Sequence, residues 1–223
     1  MPSSNHANTT SNAKPVVVLG AGGHARVLIS LLKLIDRPIA AVLDDDPAKH
    51  SATLGGITIT GGFDTIQNFG PDQVELVNAI GSAHRPTTRQ AIYDQHTKLG
   101  YTFASLVHPA AVVAPGVKLD AGTQIMASAT IQTGVSLGPN CLINTNAVVD
   151  HDTTIGSHNH IAPGVTLCGG VTIGPGCHIG AGATVVQGVS IGASTVVGAG
   201  ATVLSDIGDR QVVMGTPARA IAD

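Results

Sequence analysis

A cluster of histidine and acid, Asp150-His151-Asp152, and then a pair of histidines, His158-Asn159-His160, interrupt a stretch otherwise rich in glycine and asparagine. A neutral imidazole, with an ordinary pKa near about 6.5, can take up a proton at neutral pH. Transfer of an acyl group to an amine or hydroxyl needs such a base at the nucleophile, and donors for the oxyanion that forms. The residues alone equally allow exposed polar corners with no chemistry. A second feature lies near the N-terminus, where Gly20-Ala21-Gly22-Gly23-His24-Ala25 follows an apolar run. This GxGxxA pattern lets backbone N–H groups and a helix N-terminus face a phosphate. Asp44-Asp45-Asp46 follows about twenty residues on, where a ribose hydroxyl could be met.

The elements that must position the first cluster are set by a strict repeat. From Val113 an aliphatic residue recurs at every sixth position through Leu119, Ile125, Ile131, Leu137, Ile143, Val149, Ile155, Ile161, Leu167, Ile173, Ile179, Val185, Ile191, Val197 and Val203, sixteen in all. Helices need spacings of three and four, and strands alternate by two. A period of six fits a solenoid in which each hexad gives one short strand and one corner, with the aliphatic residue inside. The following position is usually small or polar (Gly138, Asn144, Asp150, Gly156, Gly174, Gly180), which is read as meeting the backbone angles of the corner. Each coil buries its inner ring only against its neighbours, so many coils are required.

The glycine loop is positioned by a strand over 15–20, a helical pattern through Ile35 (Val27, Leu28, Leu31, Leu32) and a second strand Ile39–Leu43. A further strand over 74–80, a helix over 86–99 and a strand over 101–105 complete the unit. It is about half the size of a full dinucleotide-binding domain, which argues against NAD. The expected organisation is a tail over 1–13, a Rossmann-like α/β domain over 14–106, a parallel β-helix over 107–206 and a closing segment over 207–223.

Composition agrees with this layout. Apolar residues make up 43%, but aromatics only 2%, so the core must be aliphatic. Charged residues are 11%, against about 25% in an average domain, which is expected where neighbouring subunits cover surface. A net charge of −3 without a basic run argues against nucleic acid. The polar N-terminus lacks the pattern of a signal peptide, no stretch is apolar enough to span a membrane, and Cys141, Cys168 and Cys177 read as free thiols, so a cytoplasmic protein is expected.

The hexad run together with the N-terminal glycine unit resembles the hexapeptide-repeat acetyltransferases that modify sugar nucleotides and sialic acids, among them bacterial UDP-4-amino-sugar N-acetyltransferases. The resemblance spans residues 15–219 and implies a left-handed β-helix of three hexads per coil, about five coils here, assembling as a homotrimer with acetyl-CoA in the cleft between prisms. It further implies that Gly22, Gly23, His24, Asp44, Asp45 and Gly81 bind the nucleotide sugar, and that His151 is the general base with Asp152 as its electrostatic support. His160, Gly169, Ala181, Ala199, Pro217 and Arg219 match positions that line acetyl-CoA. His151 and His160 lie nine residues apart, half of an 18-residue coil, and should emerge on different sides of one prism. Consecutive residues tend to point to opposite faces, so a hydrogen bond between His151 and Asp152 is not implied. His108 reads as part of the linker into the first coil, and His6, His50, His84, His96 and His178 as solvated.

The expected reaction is acetyl-CoA-dependent N-acetylation of the 4-amino group of a nucleotide-linked, preferably UDP-linked, sugar, with no metal. O-acetylation of sialic acid and a GDP-linked amino sugar are the alternative acceptors. A zinc hydratase on the same prism is disfavoured, because its ligands must converge at about 2.0–2.1 Å. A non-catalytic sugar-nucleotide-binding protein remains a further alternative.

Overall fold

The structure is a computed structural model, and it describes residues 13–82 and 84–221. The tail expected over 1–13 therefore lies, except for Ala13, outside the described residues. The chain divides into two compact units, one ending at Ala79 and the other beginning at Ile80.

The first unit runs β1 (Val16–Leu19), α1 (Gly23–Leu34), β2 (Ile39–Leu43), β3 (Thr53–Leu54), β4 (Ile57–Thr58) and β5 (Glu75–Asn78). β1 is central in a three-stranded parallel sheet of order β2-β1-β5, which is why all four of its residues are apolar and fully buried. Val18 pairs with Val42 on one side and Val77 on the other. α1 covers the sheet with Ala25, Leu28, Ile29, Leu31 and Leu32, whereas Val27, expected on that face, is 46% exposed. The unit is Rossmann-like.

The second unit opens with α2 (Thr87–Lys98) and continues into a parallel β-helix. Strand partners are eighteen residues apart, as in the ladder Ile131, Val149, Leu167, Val185 and Val203. Three sheets of six, five and eight short strands result. The prism has about six turns, more than the five expected, because strands outside the hexad run extend it. Leu106–Val107 precedes the run, pairing with Gln124–Ile125, and Val212–Met214 follows it, pairing with Val196–Val197. The inner ring is aliphatic and closed: Ile125, Ile131, Ile143, Val149, Ile161 and Ile179 are all fully buried. Trimming one of them, as in Ile161→Ala, is expected to cost about 2–5 kcal/mol, read as a lowered thermal midpoint.

The corner chemistry differs from the sequence reading. Left-handed backbone angles fall three residues after each aliphatic position from Val113 to Val197, at Gly134, Asn140, Asn146, Asp152, His158 and Gly164 among others. Glycines directly after the aliphatic residue serve close stacking of the coils. A Cβ at Gly156 would lie 2.9 Å from Pro175 N, and one at Gly180 would lie 2.6 Å from Ala199 N.

No strand spans 101–105; Tyr101, Phe103 and Ala104 are buried along an irregular link, and the Phe103 carbonyl accepts the Gly122 N–H at 3.1 Å. α2, which the sequence reading grouped with the N-terminal domain, packs on the prism. Arg89, buried, donates to Asn140 O and Ile80 O, and Arg85 donates to Ser194 O and Arg210 O. Burial lowers the Arg89 pKa to about 10. α2 thus covers one corner column of the prism. No helix among the described residues is long and apolar enough to cross a membrane.

Candidate functional site

In the first unit, the turn between β1 and α1 is shaped by Asp44 at the end of β2. One Asp44 carboxylate oxygen accepts the Ala21 N–H at 2.6 Å, the other accepts the Asp46 N–H at 3.0 Å, and Lys49 Nζ reaches both. Burial alone would push the carboxyl up, but the Asp46 N–H, Lys49 and the Ala21 N–H outweigh it and hold Asp44 below its ordinary value. Asp45 is exposed and accepts the Phe63 N–H at 2.7 Å. Gly22, the N-cap of α1, has an ordinary extended backbone, and a Cβ at Gly22 or Gly23 would meet nothing within 4 Å. Neither strain nor packing calls for glycine there; what the glycines keep clear is the approach to the α1 N-terminus, where backbone N–H groups favour an anion. His24 follows in the first turn of that helix.

In the second unit, His151 and Asp152 occupy the corner after the Val148–Val149 strand. His151 Nδ1 lies 2.9 Å from Asp152 Oδ2, so the contact that alternation made doubtful is present. Its cause is the left-handed backbone of Asp152, φ 58°, which breaks the alternation and turns both side chains to one side. The Asp152 hydrogen bond first, and then the Asp150 charge, raise the His151 pKa above its ordinary value. With Nδ1–H donated to Asp152, Nε2 keeps a lone pair that can receive a proton. The ring edge carrying Nε2 lies over Gly169, one coil on, where a Cβ would be 2.5 Å from Nε2.

His160 belongs to a different face, on the strand ladder Leu142–His160–His178. It is buried, with Nδ1 2.8 Å from Ser82 Oγ and Nε2 3.1 Å from Asn144 Nδ2. His178 packs edge-on at 4.9 Å and lies 3.4 Å from the same hydroxyl. Burial first, and then the neighbouring His84, lower the His178 pKa. His178 and His96 are therefore buried rather than solvated as expected. His50 is tied through Nε2 to Asp44 O, and His108 Nδ1 accepts the Ala110 N–H at the entry to the first coil.

Ala181 and Ala199 stack one coil apart, the Ala181 carbonyl accepting the Gly200 N–H at 2.8 Å. They stand on a corner other than that of His151 and Gly169. The third corner is the one under α2. Pro217 and Arg219 are exposed, and Arg219 lines an open cavity of about 290 Å³ with Val203, Asp206, Ile207 and Gln211. Gly81 lines a separate cavity of about 240 Å³ with Ser82, His84, Arg85, Thr88 and Arg89. Cys141 and Cys177 are buried free thiols, pushed by burial up to about 12 and about 11, and Cys168 is half-buried. The sequence reading missed Ser82, Asn144 and His178. Asn144 carried a signal, as an amide at a position where glycine is the commonest residue of the hexads.

Residues 15–96 match the PglD N-terminal domain, and three overlapping segments within 134–205 match the bacterial transferase hexapeptide. Perosamine N-acetyltransferase from Caulobacter crescentus, solved with CoA and GDP-perosamine, superposes with a TM-score of 0.88 at 35% identity, covering 95% of this chain and 99% of that one. The chain belongs to the hexapeptide-repeat acetyltransferases. The acetyltransferase domain of PglB from Neisseria gonorrhoeae, at 31% identity and a TM-score of 0.86, covers 93% of this acetyltransferase and is itself covered completely. That domain has also been solved with acetyl coenzyme A. WeeI from Acinetobacter baumannii, at 23% identity, shares the fold. No curated protein matches the sequence. The β-helix of the acetyltransferase is left-handed.

Proposed function

We propose that this acetyltransferase moves the acetyl group of acetyl-CoA onto the amine of a nucleotide-linked amino-deoxy sugar, with His151 as the general base. The observation that carries this reading is the His151–Asp152 pair lying over Gly169. Nε2 takes a proton from the acceptor ammonium, the freed amine attacks the thioester carbonyl, and the tetrahedral adduct collapses. CoA leaves as the thiolate and takes up the second proton, which the acylated nitrogen sheds, while the imidazolium returns the first to solvent. Asp152 holds the ring in the tautomer that presents Nε2 and stabilises the imidazolium.

The loop of Gly22, Gly23 and His24 is assigned to the sugar-nucleotide diphosphate, and Asp45, which is exposed, to the nucleoside. Asp44 acts by shaping that loop. Gly81 is placed beside the acceptor. Gly169, Ala181 and Ala199 are assigned to acetyl-CoA through their main chain, with Pro217 and Arg219 near its nucleotide. Two of these stand on a corner different from that of Gly169, and a thin ligand meeting both corners is naturally shared between adjacent prisms. This favours a homotrimer in which α2 shields the remaining corner.

Sequence resemblance prefers UDP, whereas the relative from Caulobacter crescentus binds GDP-perosamine. The test is release of CoA thiol with purified chain, acetyl-CoA and a panel of UDP- and GDP-4-amino-4,6-dideoxy sugars and sialic acid. Turnover with one amino-sugar nucleotide supports the reading and fixes the base. Turnover with sialic acid alone would replace it with O-acetylation.

If His151 is the base, its protonation must set the acid limb of kcat/KM. Asp152→Asn removes the largest cause of the raised His151 pKa. The acid limb is therefore expected to move to lower pH, alongside a lower plateau from loss of the ring's orientation. An acid limb that stays in place would show that another group titrates there.

A further inference from the structure

The chain of hydrogen bonds around His160 has a direction that can be read from its fixed end. Asn144 Oδ1 accepts the Thr145 N–H at 2.8 Å. This backbone donor fixes the amide, so the Asn144 NH₂ faces His160 Nε2 at 3.1 Å and donates to it. Nε2 is then the unprotonated nitrogen of a neutral ring, and Nδ1 carries the hydrogen. Nδ1–H donates to Ser82 Oγ at 2.8 Å, and the Ser82 hydroxyl is left to donate to His178 Nδ1 at 3.4 Å. Both nitrogens of His160 are thus occupied within the chain, in a ring that is buried.

Ser82 is also part of a wall. With Gly81 it lines the cavity that His84, Arg85, Thr88 and Arg89 also line, a cationic lining suited to an anionic ligand. Arg85 is tied to the prism through Ser194 O and Arg210 O. The Gly81–Ser82 segment is tied to it through Ser82 on His160.

We infer that Ser82 is a positioning residue: its hydroxyl, held between His160 and His178, pins the Gly81–Ser82 wall to the prism and so sets where the nucleotide-sugar acceptor sits. His160 is the prism-side anchor of this wall. The inference rests on the proposed acceptor for its kinetic consequence, but not for its geometry.

Two measurements on the full chain test it. In steady-state kinetics, Ser82→Ala is expected to raise the KM of the amino-sugar nucleotide about tenfold, the size of one lost buried hydrogen bond. The KM of acetyl-CoA and kcat should stay within about threefold, and Ser82→Thr should restore the acceptor KM. An unchanged acceptor KM, a fall confined to kcat, or failure of threonine to rescue would overturn the inference. Independently of any acceptor, ¹⁵N-histidine NMR, with His160 assigned by its loss in His160→Gln, should show the Nδ1–H tautomer. The Nε2–H tautomer would overturn the inference even if the acetyltransferase reaction proceeds as proposed. A correct tautomer without turnover on any nucleotide sugar would instead count against the proposed function.

Discussion

His151→Asn is expected to lower kcat about 10²- to 10⁴-fold, the usual worth of a positioned general base, without unfolding the protein. Asparagine can hydrogen-bond at the corner but cannot accept a proton at neutral pH. The imidazole is largely solvent-exposed, 58% for the side chain, and lies outside the aliphatic core, so the prism does not depend on it. Circular dichroism and the thermal midpoint should match those of the parent while CoA release collapses. A loss smaller than tenfold would mean that the acceptor is deprotonated before it binds, or by another group.

Gly169→Ala is expected to have the second-largest effect, about 100-fold in kcat. An added methyl would begin 2.5 Å from His151 Nε2 and 2.6 Å from Cε1, where ordinary contact starts near 3.4 Å. The ring must move by about 1 Å, a misplacement that can cost about two orders of magnitude in rate. Because the obstacle is the end of an exposed side chain, the coil itself can stay in place. The experiment also separates two roles for this residue. If Gly169 mainly makes room for the base, kcat falls and the KM of acetyl-CoA changes little. If it serves only the passage of CoA, the KM of acetyl-CoA rises and kcat is kept.

The prism was legible in the sequence because inward positions of a parallel solenoid must be aliphatic in every coil, and sixteen hexads repeat that demand without an insertion. The N-terminal sheet was legible for a related reason, since strands buried on both faces read as unbroken apolar runs such as Val16–Leu19. What the sequence hid depends on backbone geometry and long-range docking. The His151–Asp152 contact exists because Asp152 is left-handed, and nothing in an Asp-His-Asp string announces that. The Ser82–His160 bond joins residues 78 positions apart, and the Arg89–Asn140 bond joins residues 51 apart. That the Asp44 oxygens organise the loop that precedes α1 is likewise not announced by an acid after the second strand. Glycines after the aliphatic positions looked like turn residues, whereas in Gly156 and Gly180 the constraint is the next coil pressing on the Cα.

The most direct test of the central claim is to identify the product. Purified chain would be incubated with acetyl-CoA and a nucleotide-linked 4-amino sugar, and the acetylated nucleotide sugar followed by mass spectrometry before and after hydroxylamine. The account predicts an acetylated sugar nucleotide formed in step with CoA release and unaffected by hydroxylamine, because an amide resists it. Acetyl lost on that treatment would place the group on oxygen, and CoA release without an acetylated sugar nucleotide would contradict the proposed reaction outright.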